Sequence, residues 1–177
     1  GCEGRFVDPC PAELERLMKG DGQFLSEQSA LQAVARPDLS HGAFPPVGKM
    51  RYYEITTFRI RSGHEDAFVA ATKAYKAAAA RSAPTASWRP YDVVAGAPGG
   101  TFLVFSSVGA FADFDRMMAE GEATMKGATP EETGVLGKFM KESVLNLSTN
   151  RYRLDPKQSY VDAATKAKDP AFWNPKK

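Results

Sequence analysis

The sequence predicts an α+β fold in which one sheet is built from the element order strand, helix, strand, strand, helix, strand. Residues 50–61 (MRYYEITTFRIR) carry the first observation, because Tyr, Ile, Thr and Phe suit a pleated, half-buried strand. Glycine-containing turns follow the strands, and acidic residues or a capping motif open the helices. A chain of 177 residues with 43% hydrophobic content can bury one good core, or one domain with an appendage.

Residues 1–47 are predicted to precede the main domain as a helix, a short strand and a linker. A proline stands at the first position of the helix, and apolar side chains follow at helical spacing, although Gly20 and Gly22 weaken it. The predicted elements are an irregular lead-in (residues 1–10), the helix (11–28), a weak strand (29–36) and a Pro/Gly-rich connection (37–48).

The main domain is predicted to span residues 48–155. Ser62 and Gly63 stop the first strand, and Glu65 and Asp66 then place two acids in a first helical turn, where exposed backbone N–H groups favour negative charge. The predicted elements are a strand (50–61), a helix (64–81), a strand (87–95), a turn (96–100), a strand (101–108), a helix in two pieces (110–126 and 130–144) and a strand (147–154).

Local signals justify the later elements. Pro90 lies inside the second strand of this domain, and proline is tolerated in a sheet only at an edge or a bulge, so this strand is predicted to be an edge. Residues 101–108 (TFLVFSSV) are apolar on both faces, as a central strand should be. Thr129, Pro130 and Glu132 form a capping box that opens the second piece of the last helix.

The tail, residues 156–177, has no clear core of its own. Phe172 and Trp173 are expected to pack it against the domain, because rings of that size bury much apolar area. The domain itself has the βαββαβ order of a ferredoxin-like fold, in which strands one and three lie in the middle and strands two and four at the edges. The position of Pro90 and the apolar third strand agree with that arrangement.

Two stretches, YYEITTFRIRSGHEDAF and SWRPYDVVAGAPGGTFLVF, resemble the dimeric α/β-barrel superfamily, in particular its NIPSNAP-like and uncharacterised bacterial members, which are often exported. The resemblance covers residues 48–160. It implies that two sheets close face to face into a barrel around a cavity, supplied by two chains or by tandem copies. The superfamily contains monooxygenases, EthD-like proteins, isomerases and haem proteins, so the resemblance does not select a chemistry.

The sequence also contains a weak internal repeat. A shift of 119 positions gives seven identities in the 31 positions from residue 11 to residue 41, against roughly two expected from ordinary residue frequencies. This predicts that residues 11–41 are the last helix and strand of a preceding copy, that residues 11–36 add a helix and a strand to a neighbouring sheet, and that barrel closure needs a second chain. The identical pairs are Pro11/Pro130, Glu13/Glu132, Leu17/Leu136, Lys19/Lys138, Ser29/Ser148, Pro37/Pro156 and Ser40/Ser159.

Composition excludes several classes of partner. The formal net charge is +2 without runs of like charge, which argues against nucleic acid and anionic membranes, and no apolar run approaches the ~20 residues of a membrane span. Cys2 and Cys10 allow a disulfide in an exported protein, a lipid anchor at Cys2, or two unbonded thiols. With only His41 and His64 in the chain, no metal site and no cofactor is predicted. Location leans towards exported or periplasmic.

Polar residues inside the predicted strands are the candidates for a binding pocket. A charged side chain on a strand needs either solvent or a partner, so these residues line a pocket or lie at solvent-facing edges. The strand residues of this kind are Glu54, Arg59, Arg89, Asp92, Arg151 and Arg153. The predicted ligand-binding residues are Glu54, Arg89, Tyr91, Tyr53 and Tyr152.

The leading functional hypothesis is a homodimeric small-molecule-binding or scaffold protein without catalysis, because nothing in the sequence forms a nucleophile–base pair, metal cluster or cofactor motif. A small hydrophobic or aromatic ligand is expected. The alternative is a cofactor-independent monooxygenase or isomerase acting on an aromatic or quinone-like substrate. Haem binding is a third hypothesis, disfavoured because neither histidine falls on a late helix, as the haem-binding relatives imply.

Overall fold

The computed structural model describes residues 11–174, with side chains from residue 15, so the predictions for Cys2 and Cys10 lie outside the described residues. The chain divides into two compact units at residue 30. In the first unit, α1 (Pro11–Gly22) ends at the second of the two weakening glycines and is shorter than the predicted helix over residues 11–28. Lys19 Nζ contacts Glu15 Oε1 one turn earlier at 2.7 Å.

The second unit contains a five-stranded antiparallel sheet in the order β1-β3-β4-β2-β5. Without β1, the order β5-β2-β4-β3 places the first and third strands of the βαββαβ unit in the middle, so the predicted ferredoxin-like α+β fold class is confirmed. The strands are β1 (Gln32–Ala35), β2 (Tyr52–Ile60), β3 (Arg89–Ala95), β4 (Thr101–Val108) and β5 (Val144–Arg153).

Three long helices cover one face of the sheet, and α2 packs against both α3 and α4. Alternation along β2 turns Thr56 and Phe58 toward these helices and Ile55 and Thr57 to the other face. No described helix is long and apolar enough to cross a bilayer. The helices are α2 (Glu65–Ser82), α3 (Asp113–Lys126), α4 (Pro130–Glu142), α5 (Ala163–Lys168) and α6 (Pro170–Trp173), with 3-10 turns at Pro37–Leu39 and Val47–Lys49.

Stacked phenylalanines form the centre of the core between helices and sheet. The rings of Phe68 on α2 and Phe102 on β4 lie 4.0 Å apart and 14° from parallel, and Phe58 and Phe139 meet Phe68 edge-on at 5.5 and 5.9 Å. Both arrangements are favourable for aromatic pairs. The fully or nearly fully buried members of this cluster are Leu39, Ile60, Phe68, Ala71, Phe102 and Phe139.

The prediction that β3 lies at an edge is wrong, because β1 pairs with its outer side. The same pairing corrects the prediction that the N-terminal strand joins a neighbouring sheet, since β1 extends the sheet of its own chain. Pro90 is tolerated because its backbone points to the side of β1, where the ladder ends. Pro90 O accepts a hydrogen bond from Arg36 N at 2.9 Å, and no residue of β1 lies opposite the missing N–H.

The predicted capping box at the start of α4 is confirmed. Thr129 Oγ1 accepts a hydrogen bond from Glu132 N at 3.2 Å, and Glu132 Oε2 accepts one from Thr129 N at 2.8 Å. Arg81 on α2 donates to the same carboxylate and is the main reason why the pKa of Glu132 lies below its ordinary value. The cap therefore also ties α4 to the end of α2.

The tail contacts the start of the domain through two aromatic residues. Trp173 is 4% exposed, and its Nε1 donates to Gly48 O at 2.7 Å. Arg51 pairs with Asp169 and lies over the ring of Phe172 at 3.6 Å. The tail also contains two short helices that were not predicted, although Asp162 caps the first, Asp169 caps the second and Pro170 opens the second.

Candidate functional site

A cleft of about 450 Å³ lies between the helix-covered face of the sheet and helices α2, α3 and α4. Its walls are mostly apolar, with a small number of polar groups. The lining from the sheet includes Glu54, Thr56, Phe58, Val104, Ser106 and Arg151; that from the helices includes Phe68, Tyr75, Phe114, Met117, Met118, Gly121, Leu136, Phe139 and Met140.

The local sequence explains why the helices leave space here. The helical region between β4 and β5 is broken at residues 127–129, so α3 and α4 approach the sheet as separate pieces. Gly121 on α3 has no side chain, and a Cβ built there would lie 3.7 Å from the hydroxyl of Tyr75. Met118 and Met140 line the cleft and are also exposed, which places flexible thioether side chains at its mouth.

Glu54 and Arg151 form the charged pair of the cleft. They lie directly opposite each other on β2 and β5, and Arg151 Nε donates to Glu54 Oε2 at 2.7 Å. The side chain of Glu54 is 19% exposed and that of Arg151 is 46% exposed, so the carboxylate lies inside the cleft and the guanidinium at its rim. The guanidinium also lies 4.3 Å from the centre of the Phe114 ring, which fixes its orientation.

A second polar cluster lines the cleft from the helical side. Glu120 Oε1 accepts hydrogen bonds from Thr85 Oγ1 at 2.7 Å and from Arg116 Nη1 at 2.8 Å. Burial raises the pKa of the nearby Tyr75 above its ordinary value, and a hydrogen bond between its hydroxyl and the Thr124 side chain acts in the opposite direction. The ring of Tyr75 packs against Trp88 at 5.3 Å.

The structure does not bring the five predicted ligand-binding residues together. Glu54 lies in the cleft, whereas Arg89 and Tyr91 line a separate hollow of about 270 Å³ beside His41. Tyr53 and Tyr152 are partners across the β2–β5 ladder, where alternation turns them to the face opposite Glu54. A shared site for all five is therefore not assembled within the residues that the structure describes.

Arg89 contacts the backbone of a neighbouring loop, so its side chain is not free to bind a ligand. Its Nη1 donates to the carbonyl oxygens of His41 at 2.6 Å and Trp88 at 2.8 Å, and its Nη2 donates to Gly42 O at 2.7 Å. The guanidinium also lies over Phe44 at 4.5 Å. These contacts use the donors that a ligand would need, which favours a structural role for Arg89.

His41 titration is expected to make the fold less stable at mildly acidic pH. Burial, followed by the charges of Lys76 and Arg89, lowers the pKa of His41, and its Nε2 is buried without a described hydrogen-bond partner. The unfolded chain therefore binds the proton more readily than the native state, and stability rises with pH across the window below the ordinary histidine value of about 6.5.

Urea unfolding at pH 5.5 and 7.5 measures this effect. We expect a lower midpoint at pH 5.5, and a smaller difference between the two pH values in a His41→Gln variant. This pH range lies above the ordinary carboxyl pKa values of about 4, so acid groups contribute little to it. An unchanged pH dependence in the variant would show that His41 is not its source.

His64 and Ser143 form a pair that resembles part of a catalytic dyad. His64 Nδ1 and Ser143 Oγ lie 2.9 Å apart, but Ser143 is only 3% exposed. Among the described residues, neither lines the cleft or the hollow. The pair therefore ties the start of α2 to the end of α4.

The comparisons with known proteins leave the activity open. No known family profile matches the chain, and no curated protein matches it. One solved structure, described as a crystal structure of an anthrone oxidase-like protein, is 12% identical with a TM-score of 0.44; the match covers 81% of this chain and 66% of that chain. A likeness of this size concerns the coarse fold only. In the part of the chain with described side chains, no group of three or more His, Cys, Asp or Glu residues is placed to hold a metal ion.

Proposed function

We propose that this protein binds a small, predominantly apolar molecule in the cleft between the sheet and α2, α3 and α4. The main observation that supports this proposal is the cleft itself. Its volume of about 450 Å³ falls within the roughly 300–1,000 Å³ of small-molecule sites, and its apolar walls with a few polar groups are typical of such sites.

A loosely packed core is a less favourable interpretation of this space. The cleft opens to solvent at its mouth, beside the exposed Met118 and Met140, so it is not a void closed inside the core. Solvent must therefore occupy it unless a ligand does. Phe68, Leu136 and Phe139 give entering water no hydrogen bonds, so displacement of that water by an apolar ligand is favourable.

Blocking the cleft tests this proposal. The neutral naphthalene fluorophore prodan is titrated into the purified chain, and its emission is expected to shift to the blue and saturate. Gly121→Leu places a side chain in the cleft and is expected to weaken binding by about tenfold or more, since even one misplaced methylene in a pocket costs 10-fold or more.

Gly137→Leu is the matched control, because Gly137 also lies inside a helix but is exposed, with no atom within 4 Å of an added Cβ. Prodan affinity should be unchanged in this variant. Equal affinity of the two variants, or no saturable binding by the unmodified chain, would refute the proposal.

A second candidate function is cofactor-independent oxygenation or isomerisation of an aromatic or quinone-like substrate. The observation that favours it is that Arg151 and Glu54 both line one apolar cleft, which offers a donor and a carboxylate to a developing enolate. Oxygen consumption and mass spectrometry of a bound aromatic ketone test it. If the ligand is unchanged after aerobic incubation, this second function is refuted and only ligand binding remains.

We further infer that two copies of the chain associate. The outer side of β5 pairs with no described strand, although this strand is ten residues long and exposed along nearly its whole length. Light scattering should give about twice the chain mass of 19.2 kDa, and a monomer would refute the inference.

The partial repeat also stays a proposal, with residues 48–155 as one ferredoxin-like copy, residues 1–47 as the end of a preceding one and residues 156–177 as a packed tail. It is supported by the seven identities that the shift of 119 positions gives between residues 11–41 and 130–160. In the structure, residues 31–47 belong to the same compact unit as the sheet.

A further inference from the structure

We infer that the cleft selects a neutral ligand with a hydrogen-bond acceptor at one end, such as an aromatic ketone, ester or amide, over an anion of the same shape. This inference rests on the proposed function, since it names the class of molecule that the same cleft would take. Arg151 and Glu54 are the residues that determine the selectivity.

The charged groups that line the cleft disfavour an anionic ligand. The cleft is lined by two carboxylates, from Glu54 and Glu120, and by one guanidinium, from Arg151. Each of these groups already has an oppositely charged partner: Glu54 pairs with Arg151, and Glu120 pairs with Arg116. An anionic ligand would therefore add a third negative group to a partly desolvated site without meeting an uncommitted cation, which is unfavourable.

Arg151 keeps hydrogen-bond donors that Glu54 does not use. Arg151 uses Nε for Glu54, and the structure places no acceptor within hydrogen-bond range of its Nη1 or Nη2 among the described residues. The stacking on Phe114 keeps the guanidinium plane in place, so these N–H groups form a preorganised donor edge at the rim of the cleft. A carbonyl oxygen satisfies them without bringing a charge close to Glu54.

Aromatic and methionine side chains of the cleft would contact the apolar part of the ligand. Phe58, Phe68 and Phe139 form the deep wall, where a flat apolar ring system contacts aromatic faces and edges. Met117 and Met140 line the cleft from α3 and α4 and adapt to its outline. The acceptor must therefore stand at the end of the molecule that points to Arg151.

Three naphthalenes of nearly equal size test the inference by displacement of bound prodan. Acetylnaphthalene carries an acceptor, ethylnaphthalene has none, and naphthoate is an anion. We expect acetylnaphthalene to bind about tenfold more tightly than ethylnaphthalene, because hydrogen bonds to charged groups are stronger than neutral ones. Naphthoate should bind more weakly than both.

Two variants assign the selectivity to its residues. Arg151→Gln should reduce acetylnaphthalene to the affinity of ethylnaphthalene, and Glu54→Gln should raise the affinity of naphthoate. Arg153→Gln is the control, because Arg153 is exposed on the same strand and does not line the cleft. Circular dichroism checks that each variant is folded.

The outcomes separate the two proposals. Equal affinity of the three naphthalenes, or tightest binding by naphthoate, would overturn the selectivity while saturable prodan binding would still support a ligand cleft. If prodan and all three naphthalenes fail to bind, the proposed function fails and the selectivity with it. Loss of discrimination in Arg153→Gln would also overturn the assignment to Arg151.

Discussion

Phe102→Ala is expected to lower the free energy of unfolding by about 3–5 kcal/mol, the range for removal of a large aromatic side chain from a core. Phe102 is 1% exposed on the central strand β4, and its ring stacks on Phe68 at 4.0 Å. Alanine would leave a cavity that the sheet and α2 cannot close, and would also remove the aromatic pair. Since a domain has only about 5–15 kcal/mol of stability, most of it would be lost.

Urea unfolding followed by tryptophan fluorescence measures this loss. Phe102→Leu is the control, because it keeps most of the apolar volume and should cost clearly less than alanine. A loss below about 1 kcal/mol for Phe102→Ala would be close to that of a surface substitution and would contradict the central position of this ring.

Trp173→Ala is expected to have an effect of similar size, about 3–5 kcal/mol, even though the residue lies near the end of the chain. The side chain is 4% exposed, and its loss would leave Gly48 O without its indole donor. A side chain at residue 48 would not repair the gap, because an added Cβ would lie 2.8 Å from Lys168 Cβ. The tail would lose its main anchor.

Hydrogen exchange shows where the loss acts. In Trp173→Ala, amides of α5 and α6 and of residues 48–51 should exchange faster than in the unmodified chain. Trp173→Phe is the control: it keeps a ring but lacks the N–H donor, and should cost about 1–2 kcal/mol. Unchanged exchange at residues 48–51 would show that the tail does not stabilise this part of the domain.

The sequence was sufficient to predict elements whose signals are local. The bounds of β4 agree with the prediction because its apolar run is framed by a glycine turn and the start of a helix. The start of α4 agrees because Thr129 and Glu132 satisfy each other's backbone groups within one turn. Such signals depend only on neighbouring residues.

The edge of the sheet and the site depend on contacts between distant residues. Pro90 indicated a missing donor, but not that a strand from residues 32–35 ends beside it. A charged Arg89 on a strand indicated a need for partners, and the carbonyl groups that satisfy it lie about 50 positions earlier in the chain.

The cleft was missed for a different reason. Met117 on α3 and Met140 on α4 line the cleft from helices whose apolar side chains follow helical spacing. Helical periodicity indicates which face of a helix is apolar, but not how far that face lies from the sheet. Gly121 was a signal of the required kind, because a glycine inside a helix costs stability and often has a packing or functional reason, but Gly134 and Gly137 on α4 show the same pattern.

The position of β2 has a consequence for synthesis of the chain. β2 is the strand from which the sheet is extended on both sides, yet its partners β4 and β5 begin only at Thr101 and Val144. A ribosome therefore releases Tyr52–Ile60 well before either neighbour exists, with both of its hydrogen-bonding edges open to other nascent chains. Chains truncated before Val144 would keep one of these edges of β2 exposed, whereas β5 covers it in the full sheet.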